Sequence, residues 1–124
     1  MLERKFTSYL TKFLTEERNK ILLVNGARQI GKSYLIRYVG RKLFSHFVEI
    51  NLKEDIEGDK VFADVRTTDD LYMRLSNYCP TPLGDNTDTL VFLDEIQSYP
   101  HLMTMLKFLN QESRYRFIAS GSQL

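Results

Sequence analysis

Stretches with apolar residues at helical spacing alternate along this chain with unbroken apolar runs. Leu2, Phe6, Tyr9, Leu10, Phe13 and Leu14 recur in steps of three and four, with Glu3, Lys5, Thr11 and Lys12 off the stripe. This predicts a helix with one core-facing side. Its polar face is mixed in sign, which disfavours a helix lying on a membrane surface. Ile21, Leu22, Leu23 and Val24 then form a continuous apolar run, the pattern of a strand covered on both faces. Leu35, Ile36, Val39 and Leu43 give helical spacing over 32–43, and residues 47–52 (FVEINL) read as a second strand.

The acidic stretch Glu54, Asp55, Glu57 and Asp59, flanked by Lys53 and Lys60, reads as a solvated loop. Thr67 with Asp70 forms a capping pair for a helix through Leu71, Leu75 and Tyr78. That helix should stop by Cys79, because Pro80 disfavours helical geometry in the residue before it. Residues 80–88 (PTPLGDNTD) are turn-rich, and Leu90, Val91, Phe92 and Leu93 make a second continuous strand run. Pro100 can open a helix whose buried stripe is Leu102, Met105, Leu106 and Leu109, and 116–120 (RFIAS) reads as a fourth strand. Strands alternating with helices imply an α/β fold with a parallel sheet.

At 124 residues the chain fits one domain. Seventeen basic against sixteen acidic residues give a net charge of +1, so bulk charge does not announce a nucleic-acid partner, although a local patch is compatible with it. Cys79 is the only cysteine, which precludes an internal disulfide. The opening MLERKFTSYL lacks an apolar run of signal-peptide length, and no stretch approaches the ~20 apolar residues of a membrane helix. The expectation is a cytoplasmic protein without a membrane partner.

The chemistry concentrates in Gly26-Ala27-Arg28-Gln29-Ile30-Gly31-Lys32-Ser33, which matches G-x-x-x-x-G-K-[ST] at every position. The glycines let consecutive backbone N–H groups turn inward around a phosphate. Lys32 brings a positive charge to the β- and γ-phosphates. Ser33 offers a hydroxyl to Mg²⁺ at the start of a helix, whose free N–H donors face the anion. The motif stands between an expected strand and an expected helix, as a phosphate loop requires. Nucleotide contacts are expected from Gly26 through Ser33 and from the adjoining Tyr34. Arg28 is either a phosphate or partner contact or a solvated loop arginine.

Asp94 and Glu95 follow directly on the run 90–93. Unpaired carboxylates at the end of a buried strand are costly, and a Mg²⁺ ion would supply the counter-charge. Asp94 is therefore the expected metal residue, with Ser33, and Glu95 the residue that polarises the attacking water. The fourth strand ends in Ser120, Gly121 and Ser122. A hydroxyl there could orient the water or touch the γ-phosphate, with an ordinary strand-to-loop turn as the alternative.

GARQIGKS, FLDEIQ and IASGS, in this order and spacing, resemble the predicted prokaryotic ATPases of the AAA+ type, in which an ATPase domain precedes a nuclease-like C-terminal domain. The resemblance spans residues 4–124. It implies a P-loop three-layer sandwich with strand order 1-4-3-2, phosphate and Mg²⁺ binding by Gly31, Lys32 and Ser33, metal and water roles for Asp94 and Glu95, and a sensor role for Ser120. Lys32, Glu95 and Ser120 form the expected catalytic set. Gln97, in DEIQ, would contact the phosphate loop or a neighbouring subunit. Proteins of this group continue into a fifth strand, a helical lid and the C-terminal domain. Residues 1–124 are thus expected to be the N-terminal part of an ATPase domain, incomplete at its C-terminus and hydrolysing ATP slowly or not at all alone. Arg114 and Arg116, which lead into the fourth strand, read as solvated. In the implied order the first strand is an edge, which predicts self-association into a homo-oligomer or aggregate. The alternatives are a non-catalytic nucleotide switch, a protein-interaction module and a kinase. The absence of an N-K-x-D motif favours ATP over GTP.

Overall fold

Four strands, β1 (Leu22–Asn25), β2 (His46–Asn51), β3 (Thr89–Asp94) and β4 (Arg116–Gly121), form one sheet in the order β1-β4-β3-β2. The computed structural model describes residues 2–17, 20–25 and 31–122. Every strand pair is parallel, with Asn25 opposite Gly121, Leu93 opposite Ala119 and Asn51 opposite Asp94. The parallel order brings the C-terminal ends of all four strands to one edge of the sheet, where ligands of open α/β folds bind.

The helices that return the chain are α1 (Leu2–Glu16), α2 (Lys32–Leu43), α3 (Leu52–Glu57), α4 (Thr68–Tyr78) and α5 (Pro100–Glu112). Side chains of a strand alternate between faces. Leu90, Phe92 and Ile118 accordingly meet Leu10 and Leu14 of α1 and Ile36 and Val39 of α2. Val91, Leu93, Phe117 and Ala119 face the opposite layer, where Leu71 and Leu75 of α4 and Leu102 and Leu109 of α5 close a second core. The result is the expected three-layer sandwich. α2 approaches the sheet at Gly40, where a Cβ would stand 2.5 Å from Cε1 of Phe47. A side chain there would force the Phe47 ring or the helix to shift.

The local signals act as expected at several element ends. Thr67 Oγ1 accepts from the Asp70 N–H at 3.1 Å, α4 ends before Cys79, and Pro100 occupies the first turn of α5. Strand β1 sits at the sheet edge with Leu23 exposed, so its apolar run is not covered on both faces.

Two features depart from the sequence pattern. The acidic stretch is solvated at Glu54, Glu57 and Asp59, as expected, but it is largely helix and not loop. Residues 52–57 form α3, capped by the Asn51 side chain, and Asp55 accepts from the Val61 and Phe62 N–H groups, both at 3.0 Å, and from the Tyr99 hydroxyl at 2.7 Å. The chain must turn back after β2, and Asp55 closes that turn. Arg116 is not solvated: it is buried in β4, and its guanidinium donates to the Leu14 carbonyl at 2.9 Å and the Glu17 carbonyl at 2.8 Å. α1 has no basic residue in its last turn, and Arg116 supplies that charge from the sheet.

Among the described residues no helix is long and apolar enough to cross a membrane.

Candidate functional site

At the strand ends, three elements converge on Asp94. Its Oδ1 accepts from the Ser120 hydroxyl of β4 at 2.7 Å and from the Glu95 N–H at 2.9 Å. Its Oδ2 accepts from the Ser33 hydroxyl, on the first turn of α2, at 3.2 Å. Residues distant in the chain are thus gathered around one carboxylate by the order β1-β4-β3. Both oxygens of a part-buried charge are satisfied, which removes the cost of an unpaired carboxylate at a strand end.

The start of α2 has the geometry and charge that suit an anion. Gly31 stands at φ +105°, a left-handed conformation that side-chain-bearing residues rarely adopt, and it leads directly into the helix. Among the described residues no side chain caps this end, and its first turn holds no acidic residue, so nothing described there offsets the positive end of the helix dipole. The Lys32 ammonium lies 3.5 Å from the Asn25 carbonyl and 5.7 Å from the ring centroid of Phe6 on α1. The expected nucleotide contacts Gly26, Ala27, Arg28, Gln29 and Ile30 lie outside the described residues. Tyr34 follows Ser33 with its ring exposed to solvent.

Glu95 adopts φ 57°, ψ 47°. A left-handed glutamate is uncommon, and such conformations gather at functional sites. Here it turns the chain sharply off β3 into a single 3-10 turn, Ile96–Ser98. The Glu95 side chain borders an open cavity of about 570 Å³ shared with Lys53, Gln97 and Ser122. The Gln97 carboxamide oxygen accepts from the Ser122 N–H at 3.3 Å, and a Cβ on Gly121 would overlap that oxygen. Gln97 therefore clamps the end of β4 to the turn after Glu95. Nothing in a single sequence pairs Gln97 with residue 122, because the contact depends on sheet order. Ser122 enters this clamp through its backbone.

Arg37 was not singled out by any motif. It forms a two-pronged pair with Glu49, at 2.6 and 2.8 Å. The Glu49 hydrogen bond raises the Arg37 pKa above its ordinary value, against an opposing effect of burial, and the Asp94 charge adds to the rise.

The donor set suits a small hard cation. Ser33 and Asp94 offer oxygen only, and among the described residues no cluster of three or more His, Cys, Asp or Glu could hold a metal unaided. Mg²⁺ commonly takes one or two protein oxygens and completes its shell with phosphate and water.

A P-loop sequence ending on a left-handed glycine, with a strand-end Asp-Glu pair beside it, is matched by an established family: the family described as AAA domain covers residues 18–124. The chain belongs to the AAA domain family. Its fold agrees with that of PCH-2 from C. elegans, at a TM-score of 0.62 and 13% identity, covering 98% of this chain and 37% of that one. The AAA domain thus spans little more than a third of that neighbour, and the likeness speaks for the fold. No curated protein matches the chain.

Proposed function

We propose that this AAA domain binds ATP with Mg²⁺ and that the whole protein to which it belongs hydrolyses it. The observation that carries the reading is Asp94, held between Ser33 of α2 and Ser120 of β4. Lys32 and the N–H groups opening α2 bind the phosphates, with Gly26, Ala27, Arg28, Gln29, Ile30 and Gly31 forming the cradle and Tyr34 adjoining it. Mg²⁺, held by Ser33 and Asp94, would neutralise charge on the β- and γ-phosphates. Glu95 orients and polarises the attacking water from the adjacent cavity. Ser120 reports the γ-phosphate through the Asp94 carboxylate that it already touches.

Among the described residues Arg37, on the same helix as Ser33, is already engaged by Glu49. An arginine from outside these residues, in a homo-oligomer or another part of the protein, is therefore proposed for full turnover, a contribution of about 10³–10⁵ in rate. GARQIGKS, FLDEIQ and IASGS support the finer kinship with prokaryotic ATPases that carry a nuclease-like domain, and with it a cytoplasmic location. The test is Glu95→Gln in the full-length protein. ATP affinity should persist while hydrolysis is lost, and unchanged turnover would overturn the role given to Glu95.

A further inference from the structure

The outward face of α2 combines features that an ordinary solvated helix face does not. Ile36, Val39 and Gly40 point into the core, and on the opposite side Tyr34, Arg37, Tyr38, Arg41 and Lys42 fall within one stripe. Tyr34 is 61% and Tyr38 53% exposed, one turn apart. The helix sequence, KSYLIRYVGRKL, holds no acidic residue. Solvated faces usually mix both signs and carry few large rings. Arg37 is neutralised by Glu49, but among the described residues neither Arg41 nor Lys42 has a carboxylate at ion-pair distance. Together the five side chains border a shallow groove of about 530 Å³.

We propose that this face binds single-stranded nucleic acid, with bases stacked on Tyr34 and Tyr38 and backbone phosphates paired with Arg41 and Lys42. Charge selects an anionic occupant, and the exposed rings select one with flat π-faces, which an acidic peptide lacks. Spacing selects a single strand. Tyrosines four residues apart are separated by about 6 Å along a helix axis. Paired bases in a stacked duplex rise by only about 3.4 Å, so two rings at this separation fit bases already drawn apart. The overall charge of +1 is no objection, since a local basic patch, here Arg41 and Lys42 beside Arg37, is enough to meet a phosphate backbone. The inference stands independently of ATP hydrolysis.

The test is fluorescence anisotropy with a labelled oligothymidine of about 20 nucleotides, long enough to span one strand-binding site. The chain should bind it more tightly than a duplex of the same length. Tyr38→Ala should weaken binding about tenfold, whereas Tyr38→Phe, which keeps the ring, should not. Arg41→Gln with Lys42→Gln should lower the slope of log affinity against log salt by about 1.4, as for two lost phosphate contacts on a single strand. Circular dichroism confirms that each variant is folded. Absence of strand binding, equal binding of duplex, or wild-type affinity in a folded Tyr38→Ala variant would overturn the proposal. Polyglutamate competing as well as the oligonucleotide would also overturn it, and would point to an acidic protein instead.

Discussion

Replacing Gly121 by alanine probes the joint between Gln97 and the end of β4. The new Cβ would overlap the Gln97 carboxamide oxygen, while its distance to the Ile96 nitrogen, 3.4 Å, is ordinary contact. Gln97 is flexible and can withdraw, so the cost is the lost bond to the Ser122 N–H. At 3.3 Å that bond is long, which places its contribution in the lower part of the usual range, about 0.5–1 kcal/mol. Alanine also removes the entropic penalty of glycine within a strand, a gain of roughly 0.5–1 kcal/mol. The two effects nearly cancel, so Gly121→Ala alone should shift stability little. In a Gln97→Ala background the overlap is gone and only the gain remains, so the same substitution should stabilise by roughly 0.5–1 kcal/mol. Urea denaturation of the wild type, both single variants and the double variant gives the coupling directly. An effect of Gly121→Ala that is identical in both backgrounds would refute the clamp. If the clamp exists and the site is hydrolytic, Gly121→Ala should also lower turnover of the full-length protein, because Gly121 adjoins Ser120.

Other consequences of the structure can be measured separately. Arg116→Met removes two charge-assisted bonds to the carbonyls of α1 and should cost about 2–4 kcal/mol, after allowing for relief of a buried charge; a melting temperature unchanged from wild type would contradict this. The Tyr99 hydroxyl, pushed up to about 12 first by burial and then by its bond to Asp55, is neutral in the folded state at pH values where a free tyrosine ionises. Its folded pKa is raised, so its stabilisation is complete below about pH 10 and is lost as pH rises from there to about 12. Tyr99→Phe should cost about 1–2 kcal/mol at neutral pH and flatten that alkaline loss in denaturation curves taken across this range; an unaltered alkaline slope would exclude Tyr99 as its source.

Much of this architecture could be read from the sequence because its signals are local. Gly31 before α2, the Thr67–Asp70 cap and Pro100 each act within a few residues, and each stands at the element end that its pattern indicates. The strand order followed from family resemblance, since apolar runs alone do not specify neighbours. Strand ends were less legible. The first apolar run covers 21–24, whereas β1 is Leu22–Asn25, because backbone pairing with Gly121 extends it past the last apolar residue. The roles of Arg116 and Asp55 are hidden in the sequence for a related reason. A charged residue looks solvated until its partners are known, and those of Arg116 lie at Leu14 and Glu17, about a hundred positions away. For the candidate site, the motifs join Ser33 and Asp94 through an expected metal and add Ser120 as a sensor, whereas their direct hydrogen bonds follow from the sheet. The Gln97 clamp and the Arg37–Glu49 pair have no signature in a single sequence.

The most direct test of the central claim is calorimetric titration of the chain with ATP in the presence of Mg²⁺, alongside Lys32→Ala. The account predicts saturable binding to one site that weakens on removal of Mg²⁺ and is lost in the variant. No binding by the wild-type chain, or equally tight binding by a folded Lys32→Ala variant, would contradict it.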